Sequence, residues 1–204
     1  MPSRNTTRFD SPDSYYHVYA RGASKGNIFL ESADKDYFLY LFSRYLSHKQ
    51  VTSKSGVAYP HHRDHVELLA YCLMDNHFHL LIFQHEIGAL SAFMKSIMTS
   101  YSAYFNRKYK RSGHLFENRY KSSRITSDAY LLHISRYIYL NPRSWKYYPY
   151  SSLIHIRRAS EPEWLQNERV LAQHATRQAY LEFVADYEEN LNMLAEIKHE
   201  LANL

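Results

Sequence analysis

A single cysteine in 204 residues has no partner, which excludes a disulfide framework and a structural zinc site built on several thiolates. That residue, Cys72, sits in an apolar run and reads as a buried, inert thiol. Long hydrophobic runs are missing too. No stretch approaches the ~20 apolar residues of a membrane span, and the polar start, Met1 to Asp10, lacks the core of a signal peptide. The expectation is a cytoplasmic protein with no membrane partner. Internal repeats and low-complexity segments are absent as well. The length suits one well-buried domain with an appendage and is too short for two large domains.

What is present in excess is positive charge and aromatic surface. The net charge is +5 with 13 histidines left uncounted, and aromatics reach 16%, with 20 tyrosines among them. The isoelectric point is about 9.1. Basic side chains neutralise phosphates and aromatic faces stack on unpaired bases, so the mixture suits single-stranded nucleic acid. Many basic proteins bind none, so composition narrows the field without deciding it.

Along the chain, Ser14 to Arg21 alternates and is rich in β-formers, which predicts a strand ending at Gly22. Ser32 or Asp34 can cap a helix through Tyr37, Phe38, Leu41, Phe42 and Tyr45. Val51 to Asp64 is a polar connection, and the cluster His61-His62-Arg63-Asp64-His65 reads as exposed loop. Val66 to Met74 and His77 to Phe83 form a hairpin about the turn signal Asp75-Asn76. Gly88 precedes a long helix (Leu90, Phe93, Met94, Ile97, Tyr101, Tyr104, Phe105) that ends in a basic stretch, Arg107 to Arg111. His114 to Ile125 is irregular or extended. Thr126 to Asp128 offers caps for a helix that stops at Pro142, since the residue before proline disfavours the helical region. From Glu161 the chain turns acidic and helix-forming, with Leu181, Phe183, Val184, Tyr187, Leu191 and Leu194 as apolar positions. The order predicts an α+β fold, an antiparallel sheet with packed helices. Residues 1–155 form the main domain and 156–204 a C-terminal helical extension.

Two local patterns carry chemistry. In a strand, His77 and His79 share a face, so two imidazoles project side by side and can share one metal ion. A bare His-x-His also occurs as ordinary polar residues on a half-exposed strand, but the apolar surroundings here make unpaired imidazoles costly. On a helix, Tyr137 and Asn141 lie on one face with His133 a turn earlier, while Ile134 and Ile138 occupy a neighbouring stripe that can enter the core. The alternative for that segment is a packing tyrosine and a capping asparagine.

These blocks occur in order with others. Asp75-Asn76-His77-Phe78-His79-Leu80-Leu81 is followed by Gly113-His114-Leu115-Phe116-Glu117-Asn118-Arg119-Tyr120-Lys121-Ser122 and by Arg136-Tyr137-Ile138-Tyr139-Leu140-Asn141-Pro142. Together they resemble the IS200-like transposases, nearest to their REP-associated tyrosine transposase branch. Tyr16-His17-Val18 with Arg21-Gly22 resembles that branch's first strand. Tyr148-Pro149-Tyr150-Ser151-Ser152 resembles its Tyr-Pro-Trp-Ser-Ser signature, with tyrosine for tryptophan. The resemblance runs from about Tyr15 to Ser152. It departs after Pro142, where Arg143-Ser144-Trp145-Lys146 replaces an Arg-Ala-Gly-type turn, and the tail matches nothing in the family.

The resemblance implies a ferredoxin-like core, a divalent ion (Mg²⁺ or Mn²⁺) on His77, His79 and Asn141, and Tyr137 as the nucleophile. The implied activity is cleavage and rejoining of single-stranded or hairpin DNA through a phosphotyrosine, by a monomer or homodimer. Imidazole and amide oxygen form a mixed N/O site that suits Mn²⁺ or Mg²⁺ and, on ligand type alone, also Zn²⁺. The expected DNA contacts are Arg21, Lys108, Lys110, Arg111, Arg119, Lys121 and Arg124, with Tyr120, Tyr109 and Phe116 stacking on bases. The principal alternative is a domesticated protein that binds DNA hairpins without cutting. A metal-dependent hydrolase is disfavoured because Leu81-Ile82 stands where such enzymes commonly continue with Asp and His.

Overall fold

The structure, a computed structural model, describes residues 10–186. The sheet has four strands, β1 (Ser14–Arg21), β2 (Val66–Met74) and β3 (His77–Gln84), rich in apolar and aromatic residues, and the short, polar β4 (Lys121–Ile125). All neighbours pair antiparallel, in the order β2-β3-β1-β4. Met74 pairs with His77, so Asp75 and Asn76 make the two-residue turn that their residue types predict. Helix α1 (Ser32–Leu46) links β1 to β2, and α2 (Ala89–Lys108) links β3 to β4. This β-α-β-β-α-β order with β1 and β3 in the centre is the ferredoxin-like arrangement.

The strand period of two divides the burial between two cores. Tyr16, Val18, Ala20, Phe78, Leu80 and Ile82 pack against α1 and α2, through Phe38, Leu41, Phe42, Phe93, Ile97 and Tyr101. The alternate residues Leu81, Phe83, Ala70 and Cys72 pack against α3 (Asp128–Tyr139), through Leu131, Ile134 and Ile138. Each buried Val, Leu, Ile or Phe among them contributes about 1.5–3 kcal/mol by leaving water. The result is helices on both faces of the sheet, and the face under α3 is the one that carries His77 and His79.

Helix starts follow capping chemistry. At α1 it is Asp34, already inside the helix, that accepts from the backbone N–H groups of Leu30 (2.8 Å) and Glu31 (3.2 Å). Ser127 caps α3 by accepting from Tyr130 N–H at 3.3 Å. Helix α3 closes at Tyr139, two residues before Asn141, as the proline after Asn141 requires. Gly22, at the end of β1, has no room for a side chain, because a Cβ there would lie 2.1 Å from the carbonyl oxygen of Gly26.

The histidine cluster before β2 is a loop as expected, with Asp64 and His65 exposed, but it is not exposed throughout. His62 is buried and meets Ser96 Oγ at 3.0 Å. His61 Nε2 meets the Ser47 carbonyl at 2.7 Å, and His65 pairs with Glu86 at 2.6 Å. These side chains tie the end of α1, the body of α2 and the residues after β3 to this loop, and among the described residues they form no group of three metal ligands.

Beyond α3 the chain covers the β2 edge of the sheet. The carbonyl of Tyr150 accepts from Leu73 N–H, and Ser152 exchanges bonds with the Tyr71 backbone. The Tyr-Pro-Tyr-Ser-Ser segment thus blocks an edge that would otherwise invite pairing. Next come α4 (Leu153–Arg158), the short α5 (Glu168–Leu171) and α6 (Arg177–Ala185). Between α4 and α5, Trp164 enters the first core beside Phe42 and Tyr71. On α6, Tyr180 is buried against α3 and donates to Ser135 Oγ at 2.8 Å. Leu181, Phe183 and Val184 lie on α6, whereas Tyr187, Leu191 and Leu194 fall outside the described residues. Among the described residues, no helix is long and apolar enough to cross a membrane.

Candidate active site

The register of β1 against β3 sets Tyr19 opposite His79 and Arg21 opposite His77. The pleat turns His17, Tyr19, His77 and His79 toward α3. Tyr137 comes down from α3 edge-on, its ring centroid 5.4 Å from that of His79 and 5.8 Å from that of His17. Asn141, just past the helix end, sets its Oδ1 3.3 Å from His77 Nε2, and its amide also bonds the Tyr137 hydroxyl. The two histidines, the tyrosine and the asparagine expected from the sequence therefore meet in one place.

Hydrogen bonds determine which nitrogen of each imidazole is free. Asn76 donates through Nδ2 to the Lys25 carbonyl at 3.2 Å, which leaves its Oδ1 to accept from His77 Nδ1–H at 2.7 Å. His77 Nε2 then carries a lone pair. It faces another lone pair on Asn141 Oδ1, an arrangement that favours a cation between them. Two donors about 2.1 Å from one ion, at bond angles near 90–110°, stand about 3.0–3.4 Å apart, so the observed spacing fits a shared metal. His79 is oriented in the same manner. Its Nδ1 meets His17 Nε2 at 2.9 Å, and an Nδ1–H donated there would leave Nε2 as the free nitrogen. Among the described residues no three His, Cys, Asp or Glu side chains gather as metal ligands, so the third donor would be the neutral amide of Asn141.

Burial sets the protonation states. It lowers the His17 pKa to about 3, and it holds His79 well below the ordinary imidazole value, with the neighbouring imidazoles adding to the effect. It also lowers that of His77, while the nearby Asn141 amide acts the other way. All three are neutral near pH 7, the form that binds metal. Burial raises the pKa of Tyr137, while the Asn141 hydrogen bond and the positive charge of Arg21 act the other way. Tyr137 keeps 7% of its surface exposed, whereas Tyr139 in the next position is sealed in the core.

His17 was not singled out from the sequence as a site residue. The only signal was its place in a strand block, because its partner lies 62 residues further on. His133, expected on the stripe of Tyr137, packs instead against Phe183 of α6.

The basic residues divide. Arg21 stands at the site, where its charge acts on His77, His79 and Tyr137. Lys121, on the neighbouring strand, reaches over the Tyr19 ring at 5.9 Å. Lys110, Arg111, Arg119 and Arg124 are exposed. Two of the expected DNA contacts do not fit the structure. Lys108 is held between Asp34 (2.6 Å) and Glu31 (2.5 Å), which neutralise its charge. Tyr120 is buried with its hydroxyl 2.9 Å from Ser91, so its face cannot receive a base. Phe116 is likewise buried, and the Tyr109 hydroxyl donates to Asp34 at 2.8 Å.

With the site's geometry in view, comparison with known proteins finds one family, described as IS200-like transposase, matching residues 11–141, from just before β1 to Asn141. The chain belongs to the IS200-like transposase family. No curated protein matches this IS200-like transposase. Among solved structures it is similar to a REP-associated tyrosine transposase bound to a REP hairpin. The TM-score is 0.52 at 14% identity, covering 78% of this chain and 89% of that one. A protein of Deinococcus radiodurans R1 described as a transposase matches at TM-score 0.40 and 15% identity, over 65% of this chain and 94% of the other. At 14% identity the likeness to the hairpin-bound structure is one of fold, and the chemistry is left to be argued from this chain's own residues.

Proposed function

We propose that this IS200-like transposase cleaves and rejoins single-stranded DNA at hairpin-forming repeats, with Tyr137 as nucleophile and a divalent ion, Mg²⁺ or Mn²⁺, held by His77, His79 and Asn141. The observation that carries the reading is the convergence of His77 Nε2 and Asn141 Oδ1, 3.3 Å apart, beside the hydroxyl of Tyr137. When bound, the ion would polarise the scissile phosphate and leave positions open for its oxygens.

The protein's own groups do the rest. The Asn141 amide N–H and the Arg21 guanidinium favour the phenolate form of Tyr137 over the phenol. The phenolate oxygen attacks phosphorus, the bond to the 3′ oxygen breaks, and the proton lost from the phenol ends on the released 3′ hydroxyl. The phosphotyrosine keeps the energy of the broken bond, so a second strand end can be joined without a nucleotide cofactor. His17 keeps the His79 ring in one tautomer, and Asn76 does the same for His77. Arg21, Lys121 and the exposed Lys110, Arg111, Arg119 and Arg124 supply the charge that holds the strand. A hairpin-bearing substrate is supported by the solved relative described as bound to a REP hairpin. A domesticated binder has no need of this constellation, and here all of its members are present and mutually placed.

The test is incubation with a single strand carrying a hairpin, Mn²⁺ present, followed by denaturing electrophoresis. A covalent protein–DNA band is expected, and it should vanish in Tyr137→Phe. A strand that is bound but never cut by the native protein, with either ion, would establish the non-catalytic alternative.

A further inference from the structure

Of the aromatic faces expected to stack on DNA bases, Tyr120 and Phe116 are buried and Tyr109 is partly buried with its hydroxyl on Asp34, yet the structure exposes others that the sequence had not marked. After Asn141-Pro142 the chain makes a short 3₁₀ turn, Trp145–Tyr147, which leaves the Tyr147 ring 71% exposed. Together with α4 and α6 this turn walls a pocket of about 450 Å³. That volume lies within the range of small-ligand sites. Lys146 Nζ stands 5.5 Å from the Trp145 ring centroid, and the Arg157 guanidinium lies 5.1 Å over the Tyr147 ring. Both cations are exposed, and neither has a carboxylate partner among the described residues. The α6 wall is mixed: Leu181 and Ala185 are apolar, and Gln178 donates to Glu182 at 2.9 Å.

We propose that this pocket binds one unpaired nucleotide of the DNA strand, its base stacked on Tyr147 or Trp145 and its phosphate against Lys146 and Arg157. An exposed ring beside an unpaired cation is what a single strand requires, since stacking is indifferent to sequence and the cation meets the backbone. Glu182 sets the orientation. A carboxylate repels phosphate and accepts only from N–H groups, so the base edge points to α6 and the phosphate to the other wall. Position supports the same ligand. Trp145 follows Asn141 by four residues, a span of at most about 14 Å, so a strand leaving the site passes the pocket within a few nucleotides. The inference deepens the DNA-cleaving reading and rests on it for the presence of the strand.

Tryptophan fluorescence separates the two. Trp145 and Trp164 are the only tryptophans, and Trp164 is buried in the core. In Tyr137→Phe protein, which holds DNA without cutting it, a single-stranded oligonucleotide should quench Trp145. The quench should be absent from Trp145→Phe protein. Tyr147→Ala should weaken binding of a labelled strand, followed by polarisation, about 5- to 150-fold, the range of one lost base stack. Replacing one nucleotide beside the hairpin with an abasic residue should lose the same factor in the native protein and nothing further in Tyr147→Ala. A strand that binds with Trp145 silent and Tyr147→Ala unaffected would overturn the pocket and leave the DNA reading standing. Failure of any strand to bind would overturn both.

Discussion

At the scale of single residues, His17 has the clearest unrecognised role. It reaches the site from β1, and its contact with His79 at 2.9 Å is buried on both sides. Its other ring nitrogen, Nδ1, has no hydrogen-bond partner, an arrangement kept at a cost. Orientation of a metal ligand through its second nitrogen typically accounts for about 10- to 100-fold in affinity. His17→Phe is therefore expected to weaken Mn²⁺ binding to the DNA-free protein by about that factor, measured by calorimetry or by the paramagnetic signal of the free ion. His17→Gln, which keeps a polar atom near the lost nitrogen, should recover part of the loss. Equal Mn²⁺ affinity in His17→Phe and native protein would reduce His17 to packing. A local period, two along a strand and about four along a helix, was enough to put His77 with His79 and Tyr137 with Asn141 on shared faces, while the roles expected of them came from the family resemblance. His17 is joined to them by strand pairing, which no local period encodes.

At the scale of elements, a buried polar cluster locks α1 to α2. Asp34 accepts from the backbone of Leu30 and Glu31, from Lys108 Nζ at 2.6 Å and from the Tyr109 hydroxyl at 2.8 Å. Burial alone would raise its pKa; the bonds from Lys108, Leu30 and Tyr109 outweigh burial and lower it. The unfolded chain then binds this proton more readily than the folded one. The contribution of Asp34 to stability is complete above the unfolded carboxylate range, near pH 4, and is lost as pH falls through the lower folded value. Asp34→Asn should lower stability by about 2–3 kcal/mol at pH 7. The gap to the native protein should narrow below about pH 4, as read from denaturant melts at several pH values. A gap that widens on acidification would contradict the assignment. This cluster also explains why Lys108 was misread from the sequence: the carboxylate that neutralises it lies 74 residues away. The burial of Tyr120 and Phe116 was hidden for a related reason, since tertiary packing, not residue type, decides which aromatic face meets solvent.

For the whole molecule, the hairpin, the long helices and the α+β arrangement were legible because alternation, helical spacing and turn residues agreed with one another. The covering of the β2 edge by Tyr148 to Ser152 and the insertion of Trp164 were not, since both depend on which edge of the sheet is left open. On the proposed reading, strand binding would draw on charge spread over several elements, so it should fall with salt with a slope of about −0.7 per neutralised phosphate. Lys110→Ala or Arg119→Ala should each flatten that slope by somewhat less than one unit, while Lys108→Ala, already paired inside the protein, should leave it unchanged. Affinity that does not vary with salt would remove the basic surface from the account. The claim on which everything else depends is that Tyr137 takes the DNA covalently beside a metal on His77, His79 and Asn141. The direct measurement is proteolysis of the protein–DNA adduct and mass spectrometry of the modified peptide. The nucleotide should sit on Tyr137 when Mn²⁺ or Mg²⁺ is present and disappear on chelation with EDTA, whereas a nucleotide on Tyr139 or Tyr130, or an adduct indifferent to EDTA, would contradict it.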